Sequence, residues 1–420
     1  MSLGPAIDAG RVIADLRELA RRSSDERGAQ RLCWSPTWVQ ARRFLRELLA
    51  ELGLEPELDA AGNLWARLDG ADPSGPALAL GSHLDSVPDG GWLDGALGVM
   101  AALGVLRAWV EAGETPPAGL ALVDWADEEG ARFGRSLFGS SAFCGTLDPG
   151  ELRELRDSDG RPIAEVLAEH GVELERLASR PWDTAPATAE RLFAYLELHI
   201  EQGPVLEGEG CGVAAVSGCV GVERHRLRFR GQAAHAGTTP MDARRDAGLA
   251  AAQLALAVEG IAREHGGVAT TGSLSLRPGI PTAVVGEAEL IVDLRHGDPG
   301  ALAAMLGAAL DSAGSSAAAR GCSLDAETVW RIAPIRFDPN LVESCVAIVR
   351  GAGGRADPIT SGALHDAAEI AGVMPAAMVF VPSLGGLSHA EEEDTREGDL
   401  ALGIDSFAKF ANVVVRSRNE

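Results

Sequence analysis

Lysine is almost absent: Lys409 is the only one in 420 residues, so Schiff-base chemistry has no place elsewhere in the chain. Cysteine is sparse and scattered. The six (Cys33, Cys144, Cys211, Cys219, Cys322, Cys345) form no C-x-x-C pair, which reads as small buried residues and argues against disulfides or a thiolate metal site. Positive charge is in deficit: 37 basic residues face 61 acidic ones, a formal charge of −24, so nucleic acid and anionic membranes are poor partners. No apolar run reaches the roughly 18 residues of a membrane-spanning helix. Met1 to Ala14 lacks the basic-then-apolar order of a secretory signal, and a cytoplasmic protein is expected.

What remains is a globular composition, 46% hydrophobic and 5% aromatic, with a core of Ala, Val and Leu. The length exceeds what one core usually serves, so two domains are expected. Val12, Leu16 and Leu19 have helical spacing, and a second helix spans Trp38 to Leu52. Strands and helices then alternate: Leu78 to Leu80, the helix Ala96 to Trp109, and Leu120 to Trp125. This is an α/β layer. From about Gly212 the texture changes. A strand (Val222 to Phe229), a long helix (Met241 to Arg263), two strands (Gly272 to Leu276, Glu289 to Arg295), a helix (Pro299 to Ala313) and a strand (Ser323 to Ile332) give β-α-β-β-α-β, the ferredoxin-like order. The first texture returns with a helix at Leu341 to Val349 and a strand at Ala376 to Val381. The predicted division is an interrupted α/β domain, 1–211 and 331–420, with an α+β insert at 212–330. Asp148 to Asp183 is a charged excursion, predicted helical.

Four predicted strand ends deliver acidic or imidazole side chains. The first leads into His83-Leu84-Asp85, with Asp94-Gly95 eleven residues past the histidine. The second ends in Asp127-Glu128-Glu129, the third in His199-Ile200-Glu201-Gln202-Gly203-Pro204, and the last runs to Ser388-His389. Loops at strand ends are where α/β folds place functional groups. An isolated H-x-D is more often a surface loop than a ligand, and a charge run more often a solvated face. Four such ends in one chain are hard to ascribe to chance. Asp85 has the spacing to orient the His83 imidazole, and Asp94 could bridge two cations. Of adjacent carboxylates, one can bind metal while the other deprotonates water. Ligands without cysteine favour zinc, manganese or cobalt.

Together with His235-Ala236-Gly237-Thr238-Thr239-Pro240-Met241, these motifs resemble the M20 metallopeptidase-like superfamily, and within it the N-carbamoyl-L-amino-acid hydrolase and allantoate amidohydrolase (hydantoinase/carbamoylase) branch. The likeness covers nearly the whole chain, in the family's motif order. It implies a discontinuous zinc-hydrolase catalytic domain, a mixed sheet flanked by helices, with an inserted ferredoxin-like dimerisation and lid domain. It implies two divalent ions sharing Asp94: one on His83, Asp94 and His199, the other on Asp94, Glu129 and His389. Zinc comes first, with manganese, cobalt and nickel as alternatives. Glu128 becomes the general base, and Asp85 supports catalysis behind His83. His235 becomes the donor to the developing oxyanion, supplied by the same or the partner subunit of a homodimer. Arg295 becomes the grip on a substrate carboxylate. Gln202, Thr282, Gly362, Ala363 and His365 complete the substrate contacts. The implied reaction is cleavage of a C–N bond in a small ureido or carbamoyl substrate bearing a carboxylate.

Three positions depart from the family pattern. Thr282 stands where an asparagine is usual, Leu364 where glycine is usual, and Ala390-Glu391-Glu392-Glu393 replaces an Asn-Pro start. The first two bear on which substrate is held. A dipeptidase or aminoacylase of the same superfamily, and a non-catalytic binding protein of this fold, are the rival readings. Intact Glu128 argues against the second, since binding alone needs no base beside the ligands.

Overall fold

Side-chain caps start the first two helices. Asp8 accepts the N–H of Arg11 (3.0 Å) at the head of α1 (Ala9–Ser23). Ser35 accepts that of Trp38 (3.2 Å) at the head of α2 (Pro36–Glu51), where Pro36 has no N–H to leave unpaired. In the computed structural model, which describes residues 4–178 and 191–418, these helices are followed by β1 (Leu64–Leu68), β2 (Ala77–His83), α3 (Ala96–Ala112), β3 (Gly119–Trp125), β4 (Leu192–Ile200) and β5 (Ala214–Cys219). Next come β6 (Gly221–Arg230), α4 (Ala247–His265), β7 (Val268–Arg277), β8 (Glu287–His296), α5 (Pro299–Ala319) and β9 (Ser323–Ile332). The chain closes with α6 (Pro339–Gly351), β10 (Ala376–Val381) and α7 (Glu397–Ser417).

Two compact units result. The first comprises the chain up to Gly218 and from Arg336 on; the second is Cys219–Ile335. In the first, a nine-stranded mixed sheet runs in the order Ile335–Arg336, β5, β10, β4, β2, β3, β1, Glu57–Leu58, with Ile359–Ser361 also pairing β5. The central strands β10, β4, β2 and β3 are mutually parallel, so their carboxyl ends lie along one edge. Every residue of β2 and β3 is buried. Parallel strands covered on both faces are continuously apolar, which is why Leu78 to Leu80 and Leu120 to Trp125 stand out in the sequence. Helices α1, α3 and α7 pack together in the same core through Val12, Leu16, Val99, Leu103, Phe407 and Phe410.

The second unit is a four-stranded antiparallel sheet in the order β7, β8, β6, β9, the ferredoxin-like arrangement. Its own core joins Leu227 and Phe229 to Leu254, Val258, Leu290, Val292 and Met305. Two sequence-based boundaries move. The insert starts later than 212, because Ala214–Cys219 is β5, paired antiparallel to β10 in the large sheet. The helix expected from Met241 begins at Ala247: Asp246 accepts the N–H of Leu249 (3.1 Å), while Arg244 is extended and Met241–Ala243 forms a separate 3₁₀ turn. Within the excursion, Pro149–Leu152, Ile163–Glu169 and Leu174–Ala178 are short helices; residues 179–183 of it lie outside the described residues. Among the described residues no helix is long and apolar enough to cross a membrane.

Candidate metal centre

The parallel edge gathers the four predicted strand ends. His83 closes β2, with Trp125 of β3 as its register partner. His199 lies one residue before the end of β4, opposite Phe380 of β10. Asp94 comes from the turn before α3, where Gly95 has φ +64°; a Cβ there would collide with the His83 ring. Asp127, Gln202 and His389 all take left-handed backbone conformations, each with φ 57°. The loops at this edge are therefore strained where they present polar groups.

Asp94 is splayed between two sets of donors. Its Oδ1 faces His199 Nε2 (3.2 Å) and His83 Nε2 (3.7 Å). Its Oδ2 faces His389 Nε2 (3.4 Å), which also lies 3.4 Å from Glu129 Oε2. In each set, His83/Asp94/His199 and Asp94/Glu129/His389, the donor atoms lie within 4.8 Å of one another. The ring nitrogens are sorted by their other contacts. His83 Nδ1 meets the carbonyl of Asp85 (3.1 Å) and His199 Nδ1 that of Ile200 (2.9 Å). A carbonyl only accepts, so each Nδ1 carries a proton, and Nε2 is the atom left facing the site that can ligate once free of a proton of its own. A third grouping, Glu197/His199/His365, also brings its donor atoms within 4.8 Å of one another. Its atoms are committed elsewhere: Glu197 accepts from Ser82 Oγ (2.6 Å) and the N–H of Ala367 (3.0 Å), and His365 Nε2 pairs with Ser361 Oγ (2.9 Å).

The electrostatics of the protein alone are unbalanced. Burial and the charge of Asp94 push Glu129 up to about 8, and its Oε1 is buried without a partner. Burial, then Asp366 and Glu129, push Glu128 well above the carboxylate range. Burial by itself lowers His199, but the hydrogen bond and charge of Asp94 outweigh it and bring the imidazole to about 9. His389 reaches about 9 through its hydrogen bond to Asp94. His83, with burial dominant, falls to about 4. Acids that hold protons for want of positive charge, and imidazoles that hold theirs against the shared Asp94 carboxylate, are donors whose protons divalent cations can replace. The residues present fit two such ions.

The surrounding contacts differ in part from expectation. Asp85 does not hold His83 mainly through its carboxylate, which is 3.6 Å from Nδ1; its backbone carbonyl makes the bond. The carboxylate instead accepts the N–H groups of Glu128 (3.3 Å) and Glu129 (3.2 Å). Gln202 Nε2 donates to Asp94 Oδ2 (2.8 Å) and to Ser388 Oγ (3.2 Å). Ser361 holds the 361–365 loop: its Oγ accepts the N–H of Ala363 (3.1 Å) and donates to that residue's carbonyl (2.9 Å), and Gly362 lies inside the turn. The His365 ring lies 4.5 Å from that of His199. In the second unit, His235 and Thr282 are neighbours. His235 opposes Ala283 in a two-stranded ribbon, and the N–H of Ala236 donates to the Thr282 carbonyl (2.8 Å). Arg295 donates its Nε to Asp293 (2.8 Å).

Sequence reasoning missed three buried groups around the first unit's site. Asp124 receives Arg42 Nε (2.6 Å) and the N–H of Leu84 (2.8 Å). Arg31, fully buried, donates to the Leu84 carbonyl (2.7 Å). Glu393 accepts the N–H groups of Leu93 (3.1 Å) and Asp94 (3.0 Å). Asp124 had a signal, a carboxylate inside an apolar strand. Glu393 sits in a run of three glutamates, where nothing marks the third as buried.

A mixed sheet carrying two donor sets about one shared carboxylate, with a second carboxylate beside them, is the architecture of a hydrolase with a candidate dinuclear metal centre. The chain belongs to the peptidase family M20/M25/M40, whose model matches residues 79–413. It is 35% identical over 399 residues to the N-carbamoyl-L-amino-acid amidohydrolase of Paenarthrobacter aurescens, covering 94% of this chain and 96% of that protein. It is 31% identical to the allantoate amidohydrolase of Escherichia coli, covering 91% and 92%. The crystal structure of a hydantoinase/carbamoylase family amidase from Burkholderia multivorans superposes with a TM-score of 0.88 at 32% identity, covering 98% of both chains.

Proposed function

We propose that the chain cleaves a C–N bond in a small ureido or carbamoyl substrate bearing a carboxylate, an N-carbamoyl-L-amino acid or an allantoate-like compound. His83, Asp94 and His199 hold one divalent ion and Asp94, Glu129 and His389 the other, with zinc first and manganese, cobalt and nickel as alternatives. The observation that carries this reading is Asp94: each of its oxygens serves one donor set. Such ions, when bound, polarise the substrate carbonyl and lower the pKa of the attacking water.

The remaining work belongs to side chains. Glu128 Oε2, 3.7 Å from His83 Nε2, takes the proton of the attacking water and returns it to the leaving nitrogen. Asp85 fixes the backbone that carries Glu128. His235 donates to the developing oxyanion, and Arg295, aligned by Asp293, grips the substrate carboxylate. Gln202, Thr282, Gly362, Ala363 and His365 set the remaining substrate contacts. Residues 219–335 are assigned the homodimer contact and a lid, and the cytoplasm is the compartment that suits the six free cysteines.

Chelator-stripped protein, reloaded with zinc, manganese or cobalt, tests the reading against N-carbamoyl-L-amino acids, allantoate, ureidoglycolate, N-acyl amino acids and dipeptides. Metal-dependent ammonia release from a ureido compound is expected. Turnover of dipeptides or N-acyl amino acids alone would replace the reading with a peptidase or aminoacylase.

A further inference from the structure

Glu393 is only 1% exposed although Glu391 and Glu392 beside it face solvent. Its carboxylate is used on both sides. Oε1 accepts the N–H groups of Leu93 and Asp94, and Oε2 accepts the hydroxyl of Ser388 (2.9 Å). Ser388 Oγ also lies 2.9 Å from Asp94 Oδ2. One buried carboxylate thus joins two loops about 300 residues apart in sequence, one bearing Asp94 and the other His389. The turn is shaped for it: Gly91 packs directly against the Glu393 carboxyl group, and a Cβ there would collide with it. Arg31, buried beneath the same turn, reaches the Gly91 carbonyl (3.4 Å) and supplies positive charge toward Glu393.

The two donor sets are not equally supported. His83 and His199 lie in or at the end of central strands, in register with Trp125 and Phe380 of the neighbouring strands, and are both 1% exposed. His389 sits in a loop with its side chain 48% exposed, and no regular element holds it. The Ser388 hydroxyl ties that loop to the Asp94 turn twice, directly at Asp94 Oδ2 and through Glu393 to the N–H groups of Leu93 and Asp94, with Gln202 Nε2 bridging Ser388 and Asp94 beside them.

We propose that Glu393 is a positioning residue for the second donor set: it clamps the 388–389 arm to the Asp94 turn, so that Asp94, Glu129 and His389 can hold a cation together. This rests on the two-ion reading above. A buried partner that orients ligands typically changes metal affinity by about 10–100-fold, and the loss here falls on one of two ions. Glu393→Ala removes every contact. Glu393→Gln keeps an acceptor for the two amides and a polar partner for Ser388. Ser388→Ala cuts the link from the 388–389 arm to Glu393 together with the hydroxyl's direct contact to Asp94 Oδ2, and leaves the bonds of Glu393 to the Leu93 and Asp94 amides in place.

The experiment is a titration of chelator-stripped full-length protein with cobalt(II), reading bound metal per chain and the visible absorption of each successive ion. Wild type is expected to take up two ions. Glu393→Ala and Ser388→Ala should keep the first with its spectrum unchanged and bind the second at least about tenfold more weakly, and Glu393→Gln should recover most of that loss. Two ions bound with wild-type affinity in Glu393→Ala would overturn the proposal. So would equal weakening of both ions in Ser388→Ala, which decides the matter should Glu393→Ala not fold. Uptake of fewer than two ions by wild type would instead strike the two-ion reading itself.

Discussion

Asp85 accepts the backbone N–H of Glu128 through one carboxylate oxygen and that of Glu129 through the other. One buried side chain therefore sets the direction of the loop that presents both a candidate ligand and the candidate base. Removing it leaves two buried N–H groups unpaired and lets the loop turn away from Asp94. Asp85→Ala is expected to lower kcat by about 10–100-fold, with a smaller change in KM. Steady-state kinetics with metal content measured in parallel checks this. A wild-type kcat at equal loading would show that the clamp has no part in turnover.

Glu128 stands apart from both donor sets although it adjoins Glu129 in sequence. Its Oε2 lies 3.7 Å from His83 Nε2, but it belongs to neither compact group of donor atoms. A proton carrier can therefore be deleted without deleting a ligand. Glu128→Gln should keep the wild-type metal content and lose roughly 10²–10⁴-fold in kcat. Loss of a metal ion from this variant would recast Glu128 as a ligand.

Metal affinity should depend on pH in a defined direction. In the protein alone Glu129 holds its proton up to about 8, and His199 and His389 hold theirs up to about 9. Cations compete with those protons, so affinity rises as pH increases toward 9 and binding near neutrality releases protons. Calorimetry in buffers of different ionisation enthalpy reads the number released. It should be greatest near pH 7 and decline as pH passes 9. A pH-independent affinity over this window would contradict the protonation pattern.

The legibility of this protein in its sequence follows its physics. Central parallel strands are apolar throughout, so Leu78 to Leu80 and Leu120 to Trp125 stand out, and the polar residues following them mark the edge where His83 and Asp127 emerge. The β-α-β-β-α-β order was readable because half-exposed strands such as Val222 to Phe229 alternate. Other features depend on information that spacing lacks. Nothing in H-x-D tells whether Asp85 meets the imidazole with its carboxylate or its carbonyl. The Ala-rich run from Met241 has no break in helical propensity, so the true start at Asp246 is decided by a cap. Ala214–Cys219 looks like the opening of the insert until β10 pairs with it. Glu393 is indistinguishable from Glu391 and Glu392 until a turn with Gly91 closes over it.

A buried ion pair supports the strand ends from behind. Arg42 Nε meets Asp124 Oδ2 at 2.6 Å, its Nη1 and Nη2 bond the Gly62 and Asp124 carbonyls, and its guanidinium lies 4.0 Å from the centre of the Trp38 ring. Asp124 uses its other oxygen for the N–H of Leu84, the residue after His83. Arg42→Met strips the cation from a fully buried carboxylate and should cost about 3–5 kcal/mol, read as a lower denaturant midpoint. Burial already raises the Asp124 pKa in the native fold, and loss of Arg42 raises it further. Protonation then removes the buried charge, so the deficit of Arg42→Met should shrink as pH falls from 8 towards 5. Adding Asp124→Asn removes the charge at every pH while sparing an acceptor for Leu84. The double variant should therefore be more stable than Arg42→Met alone at pH 8, and the pH dependence of its deficit should vanish. A single variant as stable as wild type at pH 8 would mean the pair contributes packing rather than charge.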